Sequence, residues 1–442
     1  MPAVGSGPST PVSTRVRLAR KTSPVLERVP LLERHLDDYE GIVEPGTIER
    51  IRELVAPLQG ARILHLSATA YGGGVAELLA THVPLSRDVG LEAEWQVIGG
   101  SDEFFGVTKN VHNALQGADI EWHTHMERIY LERVLDNALQ LDGHWDFIVI
   151  HDPQPVAIRE FVHGRVADHP DTKWIWRCHI DLTDANPTVW DFFRPYVEQY
   201  DASVWTMPQF VPASLSMDRV LHLPPCIDPL SVKNLELADP FVKELCKGYG
   251  VRSEDPLLVQ VSRFDPWKDP VGVIEAFRIV RKEVPDAQLV LAGSMATDDP
   301  EGFHYWELTN EARAGDPSIH LLSNIQQVGS VQINAFQRAA DVVMQKSLRE
   351  GFGLTVSEGL WKGRPVVGGR CGGITLQIED DVNGYLVDDV EEAAARCAEL
   401  LRKPQMADTM GAAGREIVRS NFLSTRELED WLRLFLDLRS SQ

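Results

Sequence analysis

Short apolar runs that end in polar or glycine-rich loops alternate with helix-like stretches along most of this chain. Ala61-Arg-Ile-Leu-His-Leu-Ser67 predicts a buried strand, followed by a loop from Ala68 to Gly74 and a helix from about Val75. Further strands are predicted at Asp146–Ile150, Lys173–Arg177 and Ala202–Thr206. These runs are continuously apolar, as expected of parallel strands covered on both faces. The pattern breaks at the proline-rich Leu223-Pro-Pro-Cys-Ile-Asp-Pro229, which reads as a linker, and then resumes. Strands are predicted at Leu257–Ser262, Gln288–Ala292, His320–Leu322, Asp341–Met344 and Pro365–Gly368, with a helix at Val271–Val284. Helices at about Val390–Arg402, Ala407–Ser420 and Arg426–Leu438 close the chain. The pattern predicts two doubly wound α/β domains, residues 26–225 and 226–425, facing a central cleft after a flexible stretch at 1–25. Ligands in such sheets bind beyond the carboxyl ends of the strands, where the polar loops fall.

One of these loops is Glu350-Gly-Phe-Gly-Leu-Thr-Val-Ser-Glu358. Its glycines exclude an ordinary strand, and Leu354-Thr355-Val356 reads as the start of a helix that ends at Gly363, before Pro365. A helix N-terminus offers unpaired N–H groups and a positive dipole end, which suit a phosphate. Glu350 lies before that seat and Glu358 one turn inside it, so each could hold hydroxyls on either side of a diphosphate. A capped acidic surface helix is the alternative that these nine residues leave open.

Val261-Ser-Arg263-Phe-Asp-Pro-Trp-Lys268 follows the first strand of the second half. An arginine fork and a compact lysine charge at a strand end suit a diphosphate; salt bridges to Asp265 and Asp269 on a solvated loop are the alternative. In the first half, Tyr71-Gly72-Gly73-Gly74-Val75 lets backbone approach a ligand closely. It is neither a P-loop nor a GxGxxG fingerprint, which disfavours a dinucleotide-dependent dehydrogenase. His151 and Asp152 end one predicted strand, His179 and Asp181 another, as candidates for holding an acceptor's hydroxyls or placing a proton donor. Trp95, Asp102 and Phe105 are further candidates to line an acceptor pocket.

Composition narrows the partners. A formal charge of −22 over 442 residues disfavours nucleic acid and anionic membranes, and an anionic ligand must be held by a few well-placed cations. The chain has no apolar run of the roughly 20 residues that span a bilayer. Five dispersed cysteines without CxxC spacing favour reduced thiols and a cytoplasmic setting. No metal-ligand motif is present, no tightly bound cofactor is expected, and a loosely held Mg²⁺ is left open.

Taken together, the Glu350…Glu358 loop, Arg263 with Lys268, the 72–74 glycines and His179 resemble the retaining nucleotide-sugar glycosyltransferases of family 4, which have the GT-B fold of two Rossmann-like domains. The resemblance runs from about residue 60 over nearly the whole chain. His151-Asp-Pro-Gln-Pro155, Trp176-Arg-Cys-His-Ile-Asp181 and Ile227-Asp-Pro-Leu-Ser231 are similar, more narrowly, to glycosyltransferring trehalose synthases and retaining trehalose phosphorylases.

The resemblance implies that Arg263 and Lys268 bind the donor diphosphate and that Glu350 contacts the donor glucose. The backbone from Gly351 through Phe352, Gly353 and Leu354 to Thr355 would hold sugar and distal phosphate, and Glu358 the ribose. His179 would lie near the reacting face, with Gly73 and Gly74 closing over donor and acceptor. The last helix, within 426–442, would cross back onto the first domain. The implied substrates are a nucleoside-diphosphate glucose, glucose and trehalose. A phosphorylase using inorganic phosphate and a non-catalytic sugar- or nucleotide-binding protein are the rival readings, and a homodimer is a possible assembly.

Overall fold

A computed structural model describes residues 26–71, 73–162, 169–295 and 300–440. The first sheet comprises β1 (Leu26–Arg28), β2 (Arg62–Ser67), β3 (Glu92–Ile98), β4 (Phe147–His151), β5 (Lys173–Arg177), β6 (Ala202–Trp205) and β7 (Val220–His222). Their spatial order is β1-β3-β2-β4-β5-β6-β7, with only β1 antiparallel. The second sheet comprises β8 (Leu257–Val261), β9 (Gln288–Gly293), β10 (Ile319–Ser323), β11 (Val342–Gln345), β12 (Val366–Gly369) and β13 (Gly384–Val387). It is parallel throughout, in the order β10-β9-β8-β11-β12-β13. Every residue of β4, β8 and β9 is buried, because helices cover both faces.

The strands that periodicity did not reveal carry weaker apolar signals. β3 reads Glu-Ala-Glu-Trp-Gln-Val-Ile and is only partly buried, while β1 and β7 are three-residue edge strands. β13 begins at Gly384, where a Cβ would lie 2.0 Å from the Val366 carbonyl oxygen, so the close strand pairing itself requires glycine.

The 223–229 segment is more than a spacer. The Ile227 N–H donates to the Phe422 carbonyl at 2.8 Å and its carbonyl accepts from Ser424 N–H at 2.9 Å. Beside it, the Asp228 carboxylate accepts from the Tyr39 hydroxyl at 2.9 Å and from Thr81 at 3.2 Å. This anchors the start of the final helix, Ser424–Ser440, which packs on the helices Thr47–Val55 and Gly74–Asp88 of the first half. Its Phe435 ring lies 4.4 Å from that of Phe147 on β4. Leu428, Leu432 and Phe435 are fully or almost fully buried, each contributing roughly 1.5–3 kcal/mol. Among the described residues, no helix is long and apolar enough to cross a membrane.

Candidate active site

In each sheet the chain reverses its direction of strand addition at one place. In the second sheet this is between β8 and β11, which pair from Leu258↔Val342 to Gln260↔Met344. Two loops diverge there and leave a crevice. The β8 loop is shaped by Asp265, whose Oδ1 accepts from the backbone N–H of Trp267 (3.0 Å) and of Lys268 (3.1 Å). Gln260 Nε2 donates to the Lys268 carbonyl at 2.9 Å, and its Oε1 accepts from Lys346 N–H on the β11 loop at 3.1 Å. Leu348 N–H donates to the Trp267 carbonyl at 2.7 Å. The two loops are thus stitched together, and Lys268 Nζ donates to Glu350 Oε2 at 2.6 Å. Ser347 Oγ approaches the same oxygen at 3.3 Å and Gln345 Nε2 at 3.4 Å.

Arg263 behaves differently. Its side chain is 63% exposed and pairs with Asp265 at 3.1 Å. It also faces the first half: after burial, the Arg263 charge is the next cause holding the His112 imidazole down to about 4. Lys346 is tied to Asp269.

The Glu350 loop ends at Gly353, whose φ of +83° is left-handed and which precedes the helix Leu354–Trp361. Among the described residues no side chain caps that helix, so its N-terminus is available to an anion. Thr355 Oγ1 donates to Gln345 Oε1 at 2.8 Å, and the Phe352 ring is buried against Phe422. A third loop follows β12, where Gly373 N–H donates to the Glu350 carbonyl at 3.3 Å.

Glu358 does lie one turn into the helix, but its carboxylate is 1% exposed as a residue and engaged. Gln337 Nε2 donates to it at 3.2 Å, and Lys233 Nζ lies 3.6 Å away. Lys233 also reaches Glu77 of the first half at 2.5 Å. Burial opposes charge on Glu358, yet Lys233, then Lys362 and the Gln337 hydrogen bond, hold its carboxyl below the usual range. Glu77 is raised by burial against the opposing pull of Lys233. The alternative of a capped acidic surface helix is excluded by this burial, which extends from Val356 to Trp361.

In the first sheet the reversal falls between β2 and β4, and histidines gather there. His151 Nε2 lies 3.1 Å from His65 Nδ1, and His151 Nδ1 lies 3.0 Å from His179 Nε2. His82 packs edge-on to His65 with ring centroids 5.2 Å apart, beside Trp431. Burial lowers the pKa of all four rings, His82 to about 4, so they are neutral near pH 7.

Some of the expected contacts take another form. Asp152 is half-buried and already holds the chain: its Oδ1 accepts from His179 N–H at 2.8 Å, and burial pushes its carboxyl up to about 6. Asp181 accepts from Thr183 N–H at 2.8 Å and lies 3.7 Å from Arg349. Arg349 also pairs with Asp184 and stacks 5.5 Å from the Trp267 ring centroid, so this arginine joins both halves. Trp95 is core: it is 1% exposed and its indole N–H donates to Ser67 Oγ at 2.8 Å. Asp102 and Phe105 are exposed on the helix Asp102–Leu115.

The halves meet closely. A Cβ on Gly351 would lie 2.8 Å from the His179 carbonyl oxygen, and one on Gly74 would lie 3.3 Å from Leu354 Cδ1. Gly73 precedes the helix Gly74–Asp88, while Gly72 lies outside the described residues. Among the described residues, no group of three or more His, Cys, Asp or Glu side chains is placed to hold a metal ion.

Residues 65–212 match the family model described as trehalose synthase, N-terminal domain, and residues 242–417 the model of glycosyl transferases group 1. A trehalose synthase from Rubrobacter xylanophilus is 51% identical over 94% of this chain and 99% of that protein. The chain belongs to the trehalose synthase family. It is a glycosyltransferase. A second member, from Pyrococcus horikoshii, is 42% identical over 92% of this chain and 97% of its own length. A trehalose phosphorylase from Grifola frondosa is more distant, at 27% identity over 90% of this chain and 60% of that protein. Among solved structures, a UDP-forming α,α-trehalose-phosphate synthase from Burkholderia xenovorans superposes with a TM-score of 0.67. At 14% identity over 85% of this chain and 100% of that chain, it shows the shared two-domain fold.

Within this family frame, the side chains that sequence reading passed over are His65, Glu77, Lys233 and Arg349. Lys233 follows closely on the quoted 227–231 stretch, and His65 interrupts the apolar β2 run. Both were visible as oddities, but neither had a partner within its own segment.

Proposed function

We propose that this glycosyltransferase joins the glucose of a nucleoside-diphosphate glucose to free glucose, giving α,α-trehalose with retention, in a reversible reaction. The observation that carries this reading is the Lys268–Glu350 pair at 2.6 Å, beside the exposed Arg263 and the uncapped helix at Leu354. Lys268 and Arg263 supply the cations that a diphosphate needs in so acidic a protein. Glu350 holds hydroxyls of the donor glucose, and the backbone from Gly351 to Thr355 seats sugar and distal phosphate. Glu358 takes the ribose hydroxyls once Lys233 and Gln337 make room. His179 stands at the reacting face, and Gly73 and Gly74 close over the two sugars. Residues 26–225 with 426–442 form the acceptor side, and 226–425 the donor side.

In the transfer, the bond from the anomeric carbon to the phosphate oxygen breaks as the acceptor's anomeric oxygen attacks from the same face. The acceptor's proton passes to the departing phosphate oxygen. Catalysis then rests on positioning and on stabilising negative charge on the leaving diphosphate. The free thiols, four of the five buried, support a cytoplasmic setting.

The rival is phosphorolysis, favoured by the similarity to the Grifola frondosa phosphorylase; there Arg263 and Lys268 would hold inorganic phosphate. A product assay separates the two. Purified protein with glucose and a panel of nucleoside-diphosphate glucoses is expected to form trehalose, and trehalose with nucleoside diphosphate to run the reverse. Release of glucose from trehalose with phosphate alone, and no nucleotide-dependent synthesis, would replace the synthase reading by the rival. The same assay with a chelator reads any Mg²⁺ dependence, and sedimentation reads the proposed homodimer.

A further inference from the structure

The row His65, His151, His179 runs from the interior of the first domain to its face against the donor loop. Two hydrogen bonds in series, at 3.1 and 3.0 Å, use both nitrogens of His151, Nδ1 of His65 and Nε2 of His179. A neutral imidazole has one N–H and one lone pair, so the two bonds must point the same way, and one choice at either end sets all three tautomers.

The two directions differ at their ends. If His179 donates inward, the row terminates in an N–H at His65 Nε2. That atom is buried and has no hydrogen-bond partner among the described residues. If His65 donates outward, the same position carries a lone pair, and the N–H appears instead on His179 Nδ1. His179 is half-buried and lies against the Gly351 loop. A buried N–H without an acceptor is the rarer orphan in folded proteins. At the open end, water or a sugar hydroxyl accepts from an N–H as readily as it donates to a lone pair, so that end imposes no opposing preference. Asp152 meets His179 through the backbone, its Oδ1 accepting from the His179 N–H. All three rings of the row are neutral near pH 7.

We infer that His65 and His151 are positioning residues that hold His179 as its Nδ1–H tautomer, so that the ring presents a hydrogen-bond donor to an oxygen of the donor sugar. The sugar contact rests on the function proposed above; the tautomer does not. The row thereby conveys a preference set in the core to the reacting face, without any of its rings changing charge.

The test uses full-length protein labelled with ¹⁵N-histidine, with the His179 ring signals assigned by their loss in His179→Asn. The expected spectrum shows a protonated Nδ1 and an unprotonated Nε2. His65→Asn can offer an N–H from the position of the original Nδ1 and is expected to keep both tautomer and turnover. His65→Asp offers an acceptor at that position, and is expected to switch His179 to Nε2–H and lower kcat about 10- to 100-fold, with the fold checked by thermal unfolding. A wild-type Nε2–H tautomer would overturn the inference, even if His65→Asp does not fold. So would an unchanged tautomer in a folded His65→Asp, or a switched tautomer with unchanged kcat. A wild type that transfers no glucose from any nucleotide donor would instead sink the proposed function, since the ring spectrum needs no substrate.

Discussion

Lys268 and Glu350 stand 82 residues apart in the chain, yet Lys268 Nζ donates to Glu350 Oε2 at 2.6 Å. They meet because β8 and β11 are neighbours at the point where the second sheet reverses its order, and because Gln260 ties the Lys268 carbonyl to the β11 loop. Each side chain keeps about an eighth of its surface exposed, 13% for Lys268 and 12% for Glu350. The pair is therefore preorganised and still reachable.

Removing either cation should chiefly lower turnover. Lys268→Ala and Arg263→Ala are each expected to reduce kcat by at least about 10²–10³-fold, the scale for losing one group that stabilises developing charge. Circular dichroism and thermal unfolding should stay close to wild type, Arg263→Ala most closely because the side chain is 63% exposed. Glu350→Gln should lose activity as well. Steady-state transfer assays check all three, and near-normal turnover in both cation variants would remove the phosphate role.

Lys233 links Glu77 of the first half to the buried Glu358 of the second. Lys233→Met should leave Glu358 without its nearest cation, destabilising the fold by about 2–4 kcal/mol; the Lys233 side chain is a quarter exposed, which moderates the loss. The Glu77→Gln, Lys233→Met double variant should lose less than the sum of the singles. Urea denaturation of the four proteins of this cycle measures the coupling.

Gly351 is expected to tolerate no side chain. A Cβ there would sit 2.8 Å from the His179 carbonyl oxygen, so Gly351→Ala must push the donor loop away from the first domain. A displacement on this scale should lower kcat/KM about 10²-fold. The sheets themselves are untouched, so the melting temperature should change little. Parallel kinetics and calorimetry check this; a large loss of melting temperature would mean that the contact is structural.

Acid should expose the cost of the buried histidines. Burial lowers the His82 pKa to about 4, against about 6.5 in the unfolded chain. Between those values the unfolded chain binds the proton and the folded one does not. The contribution of His82 to stability is thus complete above about pH 6.5 and declines as pH falls toward 4. In His82→Leu this loss disappears, so between pH 7 and 4.5 the variant should gain roughly 2–3 kcal/mol relative to wild type. Denaturant titrations at the two pH values measure that difference, which isolates His82 from the carboxylates. An unchanged difference would mean that His82 does not titrate as a buried ring.

Much of the fold was legible because its evidence is local. The continuous apolar runs of β4, β8 and β9 announce strands covered on both faces, and the Gly353–Leu354 turn announces a helix start. β3, with charged residues between its apolar ones, and the short edges β1 and β7 gave no comparable signal, because their places depend on neighbours rather than on their own burial. The site divides in the same way. Glu350, Arg263, Lys268 and His179 stood out because each sits in a polar loop at the end of an apolar run.

What the sequence by itself determined is the set of strand-end loops and the charges they carry, since periodicity, glycine and proline act over a few residues. Only the tertiary structure decided which charges are open and which are spent. Arg263 stands exposed, whereas Glu358 is sealed under Lys233 and Gln337, and Asp152 is engaged by a backbone N–H. It also decided that His65, the polar interruption of the apolar β2 run, belongs to the same hydrogen-bonded row as His179. The physical reason is that pairing, burial and hydrogen bonding are properties of the partners a residue meets. Here those partners come from other strands and from the other half of the molecule.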